Sequence, residues 1–135
     1  MTNDKQVFFS PPNGSEITNP DPERLKELIL LGGPSYWIGS SGDAGITYVS
    51  GDVENQLILI FNEKYGFHLI FIGDESLCVI VDENASEEDI EVIVGGDPTN
   101  ITICQFVPRA DTWEAVRVFI DSGEKSDKLN WVEQH

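Results

Sequence analysis

The stretch Gln56-Leu57-Ile58-Leu59-Ile60-Phe61 decides the fold of this 135-residue chain. It lacks the polar alternation of a strand with one wet face, so it predicts a central strand covered on both sides. Glu63-Lys64-Tyr65-Gly66 is a hairpin-sized break before the next apolar run, 67–72, and Gly73-Asp74-Glu75-Ser76 is another before 76–81. Further strand-like pieces lie at 46–50, 91–94 and 101–107. Short breaks make neighbours antiparallel, so the strands from 46 to 107 predict one meandering sheet. Two helices supply the cover.

The first helix is expected over 21–31. Asp21 can cap it, Pro22 suits its first turn, and Leu25, Leu28 and Ile29 share a face that ends at Gly32-Gly33-Pro34. The second is expected over 111–122. Asp111 and Glu114 have a capping-box spacing, Trp113, Ala115, Val116, Phe119 and Ile120 form a wide apolar stripe, and Gly123 closes it. Trp113, Val116, Phe119 and Trp131 are expected in the core, with Trp131 folding back as an aromatic anchor. Residues 1–20, rich in Pro, Asn and Gly around Val7-Phe8-Phe9, read as a loosely attached arm that includes an edge strand at most. The predicted fold class is therefore α+β: a single domain, 21–135, with an antiparallel meandering sheet covered by two helices.

Charge narrows the functional classes. Twenty-four Asp and Glu stand against eight Lys and Arg, a formal net charge of −16. Phosphate backbones and anionic membrane surfaces are repelled by such a field, so neither nucleic acid nor membrane is an expected partner. No run of 18 apolar residues occurs, and the N-terminus lacks a basic region followed by an apolar one, so the expected location is cytoplasmic. Cys78 and Cys104 lie in strand-like runs and read as small buried hydrophobes, unpaired in that compartment.

No constellation for catalysis emerges. His68 and His135 are the only histidines, Ser40 and Ser41 lie in a Gly-Ser-Ser-Gly turn without nucleophile-elbow spacing, and the glycines at 32–45 match no phosphate-binding loop. The acidic run from Asp82 fails as a calcium loop, with Glu87 at the position that needs glycine and Ile93 at the position that needs glutamate. Zinc-ligand spacing is also missing. The expectation is a protein that is not an enzyme and uses no cofactor or metal.

What stands out is the middle of the chain, where residues 51–100 carry twelve acids and one base. Between Asp74 and Asp97 there are nine acids and no base. Such a cluster repels itself, a cost that a basic partner relieves. The candidate partner-binding residues are Asp82, Glu83, Glu87, Glu88, Asp89 and Glu91, chosen for density, with Tyr36 and Trp37 as exposed aromatic anchors. The plain alternative is a solvated acidic surface.

The segment from Pro108 to Trp131, with Pro108, Ala115, Phe119, Gly123 and Trp131 in register, resembles the closing part of immunity-protein family one of bacterial polymorphic toxin systems. The run 56–72, with Tyr65-Gly66-Phe67 at its bend, resembles that family's central hairpin. The resemblance implies a cytoplasmic antitoxin that binds and inhibits a cognate toxin, commonly a nuclease or nucleic-acid deaminase, and the acidic cluster adds the expectation that this toxin presents a basic surface. It implies an α+β fold and no catalytic residues. Two other readings stay open: an acidic protein-binding or adaptor domain with a basic endogenous partner, and an enzyme working through carboxylates.

Overall fold

The computed structural model describes residues 5–38, 42–73 and 76–134. Its centre is a seven-stranded antiparallel sheet built from β1 (Gln6–Ser10), β2 (Ile17–Thr18), β3 (Asp43–Ser50), β4 (Val53–Asn62), β5 (Gly66–Ile72), β6 (Leu77–Ile80) and β9 (Trp131–Glu133). The spatial order is β2-β1-β3-β4-β5-β6-β9, which places β4 in the middle. The run 56–61 is thus central, as its composition predicts. The β4–β5 turn is fixed by Asn62, whose Oδ1 accepts the backbone N–H groups of Lys64 (2.9 Å) and Tyr65 (3.0 Å).

Successive residues of a strand point to opposite faces, and cross-strand partners share one. Leu57, Leu59 and Phe61 of β4 therefore join Phe67, Leu69 and Phe71 of β5 on one face, with Ile46 and Tyr48 of β3. On it lie α1 (Pro22–Leu31), the short α2 (Pro34–Trp37) and α3 (Arg109–Ser122). Leu25 and Ile29 from α1, Trp37 from α2, and Ala115, Val116 and Phe119 from α3 complete this core. Trp113 and Trp131 pack against its rim, half-buried. The fold is a single α+β domain with an antiparallel multi-stranded sheet packed against three helices.

Both main helices end by the predicted chemistry, and one starts differently. Asp21 Oδ1 accepts from the Glu23 N–H at 3.2 Å, and Pro22 opens α1. Gly123 terminates α3 at φ 77°, a left-handed geometry, and a Cβ there would come within 2.4 Å of the Tyr48 ring. α3, however, begins at Arg109, with Pro108 at its cap. Asp111 falls in the first turn instead of capping, and Glu114 hydrogen-bonds Arg117 and Ser126.

Three further expectations are corrected. Residues 6–10, expected in a loosely attached arm, form β1 between β2 and β3, with Val7 and Phe9 buried in the core, because alternate apolar side chains reach the helical layer. The strands from 46 to 107 do not all join one meander: β7 (Asp89–Val94) and β8 (Asp97–Thr102) pair only with each other. After β8 the chain forms a 3-10 turn at Ile103–Gln105, followed by one bridge between Val107 and Phe67. Finally, the helices cover one face of β4 only. The β7–β8 hairpin covers part of the other, where Val92, Ile101 and Phe106 bury Ile60 against Ile58 and Ile70.

Candidate functional site

The hairpin owes its two-sided character to strand alternation. Ile90, Val92 and Val94 of β7 face the sheet, which turns Asp89, Glu91 and Ile93 outward. Across the ladder, Asp89 pairs with Thr102 and Glu91 with Asn100, so the outer face is polar and acidic. The hairpin is fastened at both ends. At its tip the Gly95 N–H donates to Asp43 Oδ1 at 3.1 Å, and Gly42 lies so close to Ile93 that a Cβ would come within 2.0 Å of its carbonyl oxygen. At its base the Asp82 N–H donates to the Cys104 carbonyl (2.6 Å), and the Ile103 N–H to the Glu88 carbonyl (2.8 Å).

The six candidate acids line the approach to this hairpin and its outer face. Asp82, half-buried, accepts from the Asn84 N–H at 3.0 Å and starts the turn after β6. Glu83 accepts from Asn130 Nδ2 at 3.0 Å, which ties the turn to the segment leading into β9. Glu87 and Glu88 are exposed, as are Asp89, which accepts from Thr102 Oγ1 at 2.9 Å, and Glu91. Asp97 is exposed at the start of β8. Asp74 and Glu75, the first two acids of the cluster, lie outside the described residues, as do Ser40, Ser41 and His135.

Most cations are elsewhere. Residues 65–108 contain no Lys or Arg. Arg24 and Lys26 lie on α1, Arg109 and Arg117 on α3, Lys5 donates to the carbonyls of Ile120 and Asp121, and Lys125 stands over the Phe71 ring. Ion pairs among the described residues join Arg24 to Glu27, Arg117 to Glu114 and Lys5 to Asp121, all in or beside the helical layer. Lys64 stands over the Tyr65 ring, which packs with Phe106 beside the hairpin, but none of these ion pairs reaches a hairpin carboxylate, so that side projects net negative charge toward whatever approaches it.

The two aromatic candidates are not on this side. Trp37, expected as an exposed anchor, is 1% exposed. Its indole packs edge-on against Phe9 and Phe67, and its Nε1–H donates to the Leu28 carbonyl at 2.8 Å, so both its apolar surface and its polar atom are satisfied internally. Tyr36 is half-buried against Trp37, and burial pushes its phenol above the ordinary value while Arg24 opposes the rise. Acids and aromatics thus fall on opposite faces of the sheet.

Sequence reasoning missed a different apolar surface. Register aligns Phe8, Thr47, Gln56, Ile72 and Leu77 in one row across β1, β3, β4, β5 and β6, on the hairpin's side of the sheet. The hairpin stops short of this row: Phe8, Thr47, Gln56 and Ile72 are half-buried and Leu77 is 40% exposed. A groove of about 380 Å³ meets the row at Thr47 and Gln56 and runs along β3 past Gly45 and Ile58, with Ser10, Pro11 and Asp43 at its margin. Five residues from five strands carry no shared signal along the chain.

Two side chains with reactive chemistry are packed into the fold. His68 is buried beneath Phe106, with its Nδ1 2.7 Å from the Gln105 carbonyl oxygen, and burial holds its pKa below the ordinary value despite that hydrogen bond. Cys78 is a buried free thiol in the core. Among the described residues no three His, Cys, Asp or Glu converge to hold a metal ion, and no helix is long and apolar enough to cross a membrane. A cleft of about 610 Å³ lies between β1 and α3 and includes Lys5 and Arg117, both engaged in the contacts described above. Scanned against models of protein families and searched against curated proteins, the chain matches none.

Proposed function

We propose that this chain is an immunity protein: an antitoxin that acts in the cytoplasm, binding and inhibiting a cognate bacterial toxin that acts on nucleic acid. The observation that carries the reading is the hairpin side of the molecule, where Glu83, Glu87, Glu88, Asp89 and Glu91 project with no cation between residues 65 and 108. A protein that cleaves or modifies nucleic acid presents a basic groove for the phosphates, and a carboxylate-rich surface occupies such a groove. The resemblance of 108–131 and 56–72 to immunity-protein family one supports the same reading. In it the chain needs no cofactor, metal or catalytic group, and its work is binding. The adaptor alternative shares the electrostatics and differs in the partner.

The test is made with the polypeptide encoded beside this gene. Produced alone in a bacterial host, that polypeptide is expected to arrest growth; produced with this chain it is expected to co-purify with it and lose toxicity. Replacing Glu87, Glu88 and Asp89 together by Gln, Gln and Asn is expected to slow association and flatten its salt dependence, since opposed charge acts mainly on the on-rate. A neighbour that is harmless, or toxic but indifferent to this chain, overturns the assignment.

A further inference from the structure

Neutralising carboxylates gives a complex speed but not lifetime; that comes from apolar contact in desolvated pockets. The aromatic anchors expected for this purpose are on the wrong face, and the uncovered row beside the hairpin is on the right one. Phe8, Ile72 and Leu77 supply apolar surface, Val132 on β9 is 41% exposed on the same face, and Thr47 and Gln56 bring hydrogen-bonding groups to its middle. The acidic hairpin bounds this surface on one side. Glu54, which pairs with Val49 on the same face, and Asp52 in the β3–β4 turn bound it on the other, both exposed.

Charge decides what covers the surface. A second copy of this chain would bring another rim of carboxylates against the first, in a molecule of net charge −16, and like charges face to face oppose association. A cationic apolar segment meets no such penalty. We propose that the open row docks a segment of a partner protein in which Lys or Arg alternates with aliphatic residues, the aliphatic groups packing on Phe8, Ile72, Leu77 and Val132 and the cations reaching the carboxylates at both borders. This deepens the reading of the acidic face as a binding surface and rests on it.

Two synthetic 14-residue peptides serve as probes, one alternating Lys with Leu and one alternating Lys with Ser. The full chain is titrated with each, and binding is read by amide chemical shifts and fluorescence anisotropy. The Lys-Leu peptide is expected to bind roughly tenfold more tightly than the Lys-Ser peptide and to shift the amides of Thr47, Gln56, Ile72 and Leu77. In the double variant Leu77→Gln, Val132→Gln, both positions being exposed, the advantage of the Lys-Leu peptide is expected to vanish while Lys-Ser binding stays as it was. Equal binding of the two peptides by the native chain, or shifts confined to the hairpin, overturns the docking row while leaving the acidic surface intact. If instead the Glu87→Gln, Glu88→Gln, Asp89→Asn variant binds both peptides as the native chain does, the acidic reading itself fails. Sedimentation without peptide covers the remaining occupant: a dimer that dissociates in the Leu77→Gln, Val132→Gln variant assigns the row to self-association and overturns the proposal.

Discussion

On one face of the sheet Phe61, Phe67, Phe71 and Leu69 lie under three helices; on the other Ile58, Ile60 and Ile70 lie under a two-stranded hairpin that reaches only part way. The helical face is aromatic and continuous, with ring contacts linking Trp37 to Phe67, Phe67 to Phe61, and Phe71 to Phe119. It also holds most of the molecule's cations and all the ion pairs seen among the described residues. The hairpin face is largely aliphatic at its contact, with Phe106 and Tyr65 as its aromatic members, acidic on its outside and open at its border. Packed aromatic core is thus concentrated on one side, and exposed carboxylates and open apolar surface on the other. Exposed apolar surface and mutually repelling charge cost stability, and here they are kept apart from the packed core.

The largest test of the division is Phe119→Ala. It removes a fully buried ring that touches Tyr48 and Phe71, and is expected to cost about 3–5 kcal/mol by urea unfolding. A loss under about 1 kcal/mol would place the stability elsewhere. Next is Ile101→Ala in the hairpin core, 8% exposed, for which about 2 kcal/mol is expected, the low end of such truncations, because the site borders solvent. Hydrogen exchange should then show the amides of 89–102 opening while those of β4 and β5 stay protected; uniform loss of protection would mean that the two faces unfold as one unit.

A third test uses pH. His68 lies between sheet and hairpin, and its pKa is held low by burial, partly opposed by its hydrogen bond to Gln105. The unfolded chain, with an ordinary value of 6.5, binds the proton more readily than the folded one. Stability from this site is therefore full above about pH 6.5 and is lost as pH falls through the lower folded value. Melting of the native chain should decline across that window more steeply than melting of His68→Leu; parallel profiles would deny the imidazole any role there. The smallest effect is expected from Glu87→Gln, Glu88→Gln, Asp89→Asn. Relief of self-repulsion should raise stability by no more than about 0.5 kcal/mol at low salt and by nothing at high salt. A marked loss would mean that these carboxylates are structural.

Much of the helical face was legible along the chain. The 3.6-residue spacing of Leu25, Leu28 and Ile29, and of Val116, Phe119 and Ile120, marks helices that bury one stripe, and Asp21, Pro22 and Gly123 act through local backbone chemistry that needs no distant partner. The candidate site was legible only as charge. Density identified Glu87, Glu88, Asp89 and Glu91 but gave neither the face they occupy nor the position of Trp37, whose burial depends on Phe9 and Phe67 arriving from other strands.

By itself, the sequence determined the α+β class, a central strand over 56–61, the start of α1, the glycine stops of both main helices and an acidic stretch without Lys or Arg from 65 to 108, because each follows from neighbours in the chain: periodicity, turn residues and summed charge. Tertiary structure alone decided that β1 enters the sheet, that β7 and β8 leave the meander to cover its second face, and that Phe8, Thr47, Gln56, Ile72 and Leu77 form one open row. The reason is pairing across strands. An apolar strand is satisfied by burial against any suitable neighbour, so its own residues do not name the neighbour; register and layer order are settled only when all the strands compete for the same two faces.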